Sequence, residues 1–310
     1  MTVPFVLLVL GALTAAMAPR LLVRASWADR EPVLALWVWS CVVAAVLLCC
    51  LGSLALCASA AWAAVRWHLF ALAPPGVMHA YALNPYGFLS AATALLLACG
   101  GARSAAMLTR ELRTGRAMRR HQRAELRSRA PFLPGERRTW DRLVVLESER
   151  PDAWWQPGPP PGLVVTTAAL RRLNGQQLDA VRAHELGHAR ARHDWLLACA
   201  YALAAGFPRV PVFNGFRQQV HQLVELAADD VASRRFGRLT TALALVGLNE
   251  DRAVFGPCPA PAQVPGRVLR LLDPGPRLTR LRRAQLCLVA SLVPAVPLLV
   301  AFGPGIGALR

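Results

Sequence analysis

Apolar residues in this chain fall into long blocks at both ends and into short, patterned stretches in the middle. Four blocks, residues 3–19, 33–57, 81–101 and 284–302, are close to uninterrupted. A helix that crosses a bilayer needs about 20 such residues, so each block predicts a membrane-spanning helix. Residues 3–17 also resemble the apolar core of a signal peptide, with Ala16-Met17-Ala18 as a cleavage-like triplet. No basic residue precedes them, however, and Pro19 follows the would-be cut, so a retained first helix is expected. Pro294 and Pro297 predict a kink in the last span.

The middle of the chain changes period. RLVVL at 142–146 and GLVVTT at 162–167 read as strands. Between them Trp154, Trp155, Pro157 and Pro159 to Pro161 predict a rigid loop, and Thr167 a cap for a short helix through Leu173. From Gly175 the pattern is helical, with Asn174 and Gln177 spaced as a capping box. Residues 195–207 are apolar but too short to span; a buried or membrane-dipping helix is expected. A further helix follows at 218–235. The fold class this predicts is a mainly α-helical multi-pass membrane protein. Its organisation would be three spans (1–102), a basic juxtamembrane helix (103–130), an inserted domain with a small β-sheet (131–283) and a last span (284–310).

Charge orients this plan. The net charge is +17, and every basic residue other than the histidines is arginine. Arg20, Arg24 and Arg30 crowd the first loop, Arg66 stands alone in the second, and Arg103, Arg110, Arg113, Arg116, Arg119, Arg120, Arg123, Arg127 and Arg129 follow the third span. By the positive-inside rule the N-terminus lies outside and residues 131–283 are cytoplasmic, in a multi-pass protein of the cell membrane. The arginine run suits an anionic leaflet, at about 1 kcal/mol per residue. It has no interleaved aromatics, so nucleic-acid binding is not expected. Residues 267–272 and 277–283 predict a second basic collar before the last span. The eight cysteines form no metal-type pairs, and most lie in apolar stretches as small buried hydrophobes.

The chemistry is concentrated in VRAHELGHARAR, residues 181–192. His184 and His188 lie four apart, on one face of a helix, where one Zn²⁺ can take both imidazoles. Glu185, one residue round, can reach a metal-bound water without ligating the metal, which is the general-base position of a zinc peptidase. In QQVHQLVELAADDVASRR, residues 218–235, Glu225 is the expected third ligand, and Asp229 can accept the free N–H of a zinc-bound histidine. His221 is an alternative ligand or an oxyanion donor, and Arg234 and Arg235 are further oxyanion candidates. His193 lies about 140° round a continuous helix from His188 and so is expected to point elsewhere. Asp194 holds the position where a histidine-extended motif would place its last ligand. Residues 164–166, just before the zinc helix, are the expected edge strand for an extended substrate.

Three N-terminal spans, a strand-helix-AHELGH unit, a downstream ELAADD and a last span together resemble the BlaR/MecR-type antirepressor membrane metallopeptidases, of the gluzincin type. The core is also similar to the heat-shock membrane protease and CAAX-prenyl endopeptidase families. The resemblance implies a zincin-like cytoplasmic domain and one zinc on His184, His188 and Glu225. It also implies Glu185 as base, Asp229 in support, and a protein or peptide substrate such as a transcriptional repressor. The β-lactam receptors carry a penicillin-binding sensor after the last span; here about eight residues follow it, so the resemblance does not extend to β-lactam sensing. The rival reading is a membrane signal transducer or scaffold whose zinc is structural or whose peptidase cuts only itself. An intact Glu185 argues against it, because a purely structural site needs no base.

Overall fold

The computed structural model describes residues 2–69, 87–129, 142–156, 162–249, 264–273 and 275–308. Expectations for residues 70–86, 130–141, 157–161 and 250–263 lie outside them, including the start of the third span, the prolines at 157–161 and Cys258.

The apolar blocks form helices. α1 (Thr2–Val23) and α2 (Pro32–Leu69) open the chain. α3 (Gly87–Arg129) carries the described part of the third apolar block and the arginine run as one unbroken helix. The final block splits into α10 (Arg280–Leu292) and α11 (Ala295–Ala308), separated at Val293 and Pro294. A proline lacks the amide that would continue the helical ladder, which explains a break at this point. Four stretches, Val3–Val23, Pro32–Ser59, Ala92–Ala117 and Arg280–Phe302, are helical, long and apolar enough to cross a membrane.

Among the described residues between α3 and α10 lie a three-stranded sheet and six helices. The strands are β1 (Arg142–Leu146), β2 (Ala153–Gln156) and β3 (Gly162–Thr166), in the order β1-β3-β2. β3 pairs in parallel with β1 and antiparallel with β2, with Val164 opposite Val144 on one side and Trp154 on the other. This corrects two expectations. Residues 164–166 are in the central strand, fully buried, and have no free edge for a substrate. Trp154 and Trp155 are in a strand, not a loop: these β-favouring aromatics pair with the buried Leu163 and Val164.

α4 (Thr167–Arg172) follows β3 directly. Its cap is Thr166, whose hydroxyl accepts from the Ala169 amide, while Thr167 donates to the Ser148 carbonyl. The expected cap was therefore one residue late. α5 (Gly175–Arg190) starts with the reciprocal capping box of Asn174 and Gln177. Then come α6 (His193–Gly206), α7 (Pro211–Phe236), α8 (Arg238–Asn249) and α9 (Val264–Leu272).

Two cores organise these elements. A small one joins sheet and helices through Ala153, Leu163, Val165, Ala169, Leu173, Val181 and Ala244. The larger one runs between the spans and the α6–α7 hairpin, from Ala15, Trp39, Val42 and Val46 to Ala200, Ala204, Phe213, Phe216, Val220 and Val224. The hairpin is thus seated among α1, α2 and α3. Gly206 lies so close to Ser104 of α3, and Gly100 to Phe207, that a methyl group on either glycine would overlap its neighbour.

The α1–α2 loop is tied to the inserted domain. Gln222 donates to the Asp29 carboxylate, Arg270 to the Asp29 carbonyl, and Arg283 pairs with Glu31. Loop and domain therefore lie on the same side of the spans.

Candidate metal and active site

α5 presents His184 and His188 one turn apart, with their Nε2 atoms 3.1 Å from each other. α7 crosses α5 and brings Glu225 to both: Oε2 lies 3.6 Å from His184 Nε2, and Oε1 3.5 Å from His188 Nε2. These three side chains offer ligand atoms all within 4.8 Å of one another. Tetrahedral ligands at about 2.05 Å from zinc stand about 3.3 Å apart, so the spacing of this donor set fits that ion. Where α5 and α7 cross, Gly187 faces Ala228 and Val231 with room for one more methyl group at ordinary contact distance.

Each histidine is held from behind. His184 Nδ1 lies 3.0 Å from Asp229 Oδ1. His188 Nδ1 lies 2.9 Å from His193 Nδ1. The expectation that His193 points elsewhere is therefore corrected. It assumed one continuous helix, but α5 ends at Arg190, and Arg192 adopts a left-handed conformation (φ 52°) that starts α6 in a new direction.

Glu185 faces β2, where the Trp155 amide donates to its Oε2 at 3.3 Å. Burial raises its carboxyl above the ordinary value. Burial opposes charge on His184 as well, but its bonds to Asp229 and Glu225 prevail and raise it to about 9 in the metal-free chain. His188 is lowered to about 4 by burial and by the neighbouring His184. Burial alone would raise Glu225; His184 and then Arg267 hold it down at about 2.

Arg267, on α9, is a second part of the site, with His193, that sequence reasoning missed. Its guanidinium donates through Nε and Nη2 to both oxygens of Asp229, at 2.8 and 2.7 Å, and its Nη1 lies 2.8 Å from Glu225 Oε2. One turn on, Arg270 donates to Asp230. Within the expected basic collar, Arg267, Arg270 and Arg283 pair with carboxylates of the protein itself, which corrects the expectation for these three residues. A signal was present. Val264, Arg267, Val268 and Leu271 share a helical face, and an arginine inside an apolar stripe calls for a buried anion.

Two cavities open on Glu185. One, about 580 Å³, is lined by Glu225, Asp229, Arg267, His221 and Arg217, among others. The other, about 640 Å³, runs between α3, β2 and α6 and is lined by Glu111, Trp155, His188 and Trp195, among others. Glu185 and Tyr201 line both. His221 faces the first cavity but is not in the three-residue ligand cluster. Arg234 and Arg235, in the last turn of α7, line neither cavity.

A helix-borne His-Glu-x-x-His with a carboxylate from a second helix, beside a small sheet, defines a metallopeptidase-type site. Residues 114–254 match the family model described as Peptidase family M48, a similarity that supports a metallopeptidase. No curated protein and no solved structure matches the chain.

Proposed function

We propose that this protein is an integral membrane zinc-dependent endopeptidase that hydrolyses an extended polypeptide at the cytoplasmic face of the membrane. The observation that carries the reading is the tetrahedral spacing of His184, His188 and Glu225 with Glu185 beside them. His184, His188 and Glu225 would hold a zinc ion, which when bound would supply Lewis acidity toward a peptide carbonyl and water. Glu185 is the general base: its carboxylate takes a proton from water and returns it to the leaving amine. The Trp155 amide orients that carboxylate through Oε2 and leaves Oε1 for the proton. Asp229 and Arg267 hold His184 and Glu225 in place.

The substrate pairs with β2, an edge strand whose Trp155 amide already points at Glu185. Cavities on both sides of Glu185 support cleavage within a chain. His221 and Tyr201 supply polar groups around the site for the carbonyl oxygen. The cytoplasmic placement rests on the arginine bias, together with the docking of the Arg-bearing first loop onto the domain.

The test measures zinc content and casein-type proteolysis together, on detergent-purified wild type and Glu185→Gln. One zinc is expected in each, with cleavage lowered at least 100-fold in the variant. Equal cleavage by both proteins would remove Glu185 from the mechanism, and wild type without zinc would end the reading.

A further inference from the structure

We propose that His193 is the positioning residue of His188 in the metal site, and that the left-handed turn at Arg192 exists to deliver it. The inference rests on the metallopeptidase reading and adds a residue to it.

His193 is the first residue of α6 and only 5% exposed. Its ring meets that of His188 edge-on, with centroids 4.8 Å apart and planes at 83°. The nitrogens in contact are the two Nδ1 atoms, at 2.9 Å. A neutral imidazole carries a single N–H. His188 must leave Nε2 bare to bind a metal, so its hydrogen is on Nδ1 and donates to His193 Nδ1. His193 then carries its own hydrogen on Nε2. This is the same device as at His184, whose Nδ1 donates to Asp229. With both Nδ1 atoms engaged, both Nε2 atoms are turned toward Glu225, and neither ring can flip without losing a buried hydrogen bond.

The backbone supports this assignment. Among the described residues Arg192 is the one non-glycine with positive φ. A side chain in that region is strained, and such residues persist where the surrounding structure holds them for a purpose. Had α5 continued, His193 would have faced about 140° away from His188. The reversal at Arg192 brings it back, and the Arg192 carbonyl then accepts from the amide of Trp195 as α6 begins. The two supports are chemically unequal, however. Asp229 is an anion and His193 a neutral acceptor, so His193 raises the basicity of its ligand less.

The test uses the full-length protein in detergent, with zinc affinity measured by competition against a chromophoric chelator and ligand geometry by the visible spectrum of the cobalt-substituted protein. Asn oxygen stands close to the position of His Nδ1, so His193→Asn keeps an acceptor, whereas His193→Leu removes it at similar bulk. Zinc affinity should fall 10- to 100-fold in His193→Leu. It should stay within about threefold in His193→Asn and equal or exceed wild type in His193→Asp. The cobalt spectrum should change only in the Leu variant. Wild-type affinity in His193→Leu overturns the proposal, as does an equal loss in all three variants. If the Leu variant does not fold, the Asp and Asn proteins decide: tighter zinc in Asp supports the role, and equal affinities overturn it. His184→Ala separates this from failure of the underlying reading. Zinc lost in His184→Ala but unchanged in His193→Leu defeats only the role of His193, whereas zinc retained in His184→Ala defeats the metal site itself.

Discussion

At the scale of single residues, the site is a set of buried charges that are each other's counterions. His184 touches Asp229 and Glu225, and Arg267 touches both of those carboxylates. Removing one partner from such a cluster leaves a buried charge uncompensated, at a cost of about 3–5 kcal/mol. In the proposed reading, zinc would enter in competition with a proton. In the metal-free chain His184 is raised to about 9 and is therefore charged at neutral pH, while His188, lowered to about 4, is already neutral. A ligating imidazole must be neutral, so zinc binding at pH 7 to 8 should expel about one proton from His184. The sign follows from the raised value. The release is present below pH 9 and fades as the pH rises through it, because His184 is then neutral before zinc arrives. Titration calorimetry in buffers of different ionisation enthalpy measures it. A release that stays constant between about pH 8 and 10 would contradict the assignment. The clustering of His184, His188 and Glu225, and the place of Glu185 beside them, could be expected from the sequence because helical spacing sets relative positions along each helix. Arg267 and His193 were not read from it: one joins the site only through tertiary packing, and the other through a left-handed turn at an arginine, a residue type that gives no warning of it.

At the scale of elements, helix boundaries and the two glycine contacts decide where the site stands. The periodicity of residues 175–190 and their capping box identified α5 directly. The sheet was less legible. Two of its strands could be recognised by their β-branched runs, but their order could not, and β2 is made of tryptophans flanked by prolines. The consequence was a wrong choice of edge strand. Packing of α6 against α3 depends on the absence of side chains at Gly206 and Gly100. An added Cβ at Gly206 would overlap Ser104 Oγ and stand only 2.9 Å from the Ser104 Cα. Gly206→Ala should therefore destabilise the protein by about 1–3 kcal/mol, and trimming the neighbour with Ser104→Gly should restore little of it, because the backbone also collides. Gly100→Ala meets only the Phe207 ring and should be largely rescued by Phe207→Leu. Thermal unfolding of the single and double variants distinguishes the two cases. Full rescue at Gly206 would mean that the helices can separate at no cost.

For the whole molecule, the apolar blocks made four spanning-length helices legible, and the arginine bias suggested which loops share a side. What composition could not reveal is that residues 193–236 form a hairpin seated among the first three of those helices. Its first arm, residues 195–207, is too short for a span and too apolar for a surface, a combination that the shared core with α1 and α2 explains. The same docking places the α1–α2 loop against α7, α9 and α10, so that the second half of the chain is clamped to the first by Gln222, Arg270 and Arg283.

α7 is one unbroken helix of 26 residues, about 39 Å long at 1.5 Å per residue. Its first half, through Phe213, Phe216 and Val220, is packed against α1 and α2; its second half carries Glu225, Asp229 and Asp230. It is a rigid rod with one end among the helices of spanning length and the other at the candidate site. Stretching or thinning the hydrocarbon around α1 and α2 tilts those helices. The rod converts that tilt into displacement of a carboxylate that has little room to move. Turnover in vesicles should therefore vary with acyl-chain length at constant headgroup composition, while the same protein in detergent keeps a single rate. Identical rates from about 14- to 22-carbon chains would show that the rod does not transmit.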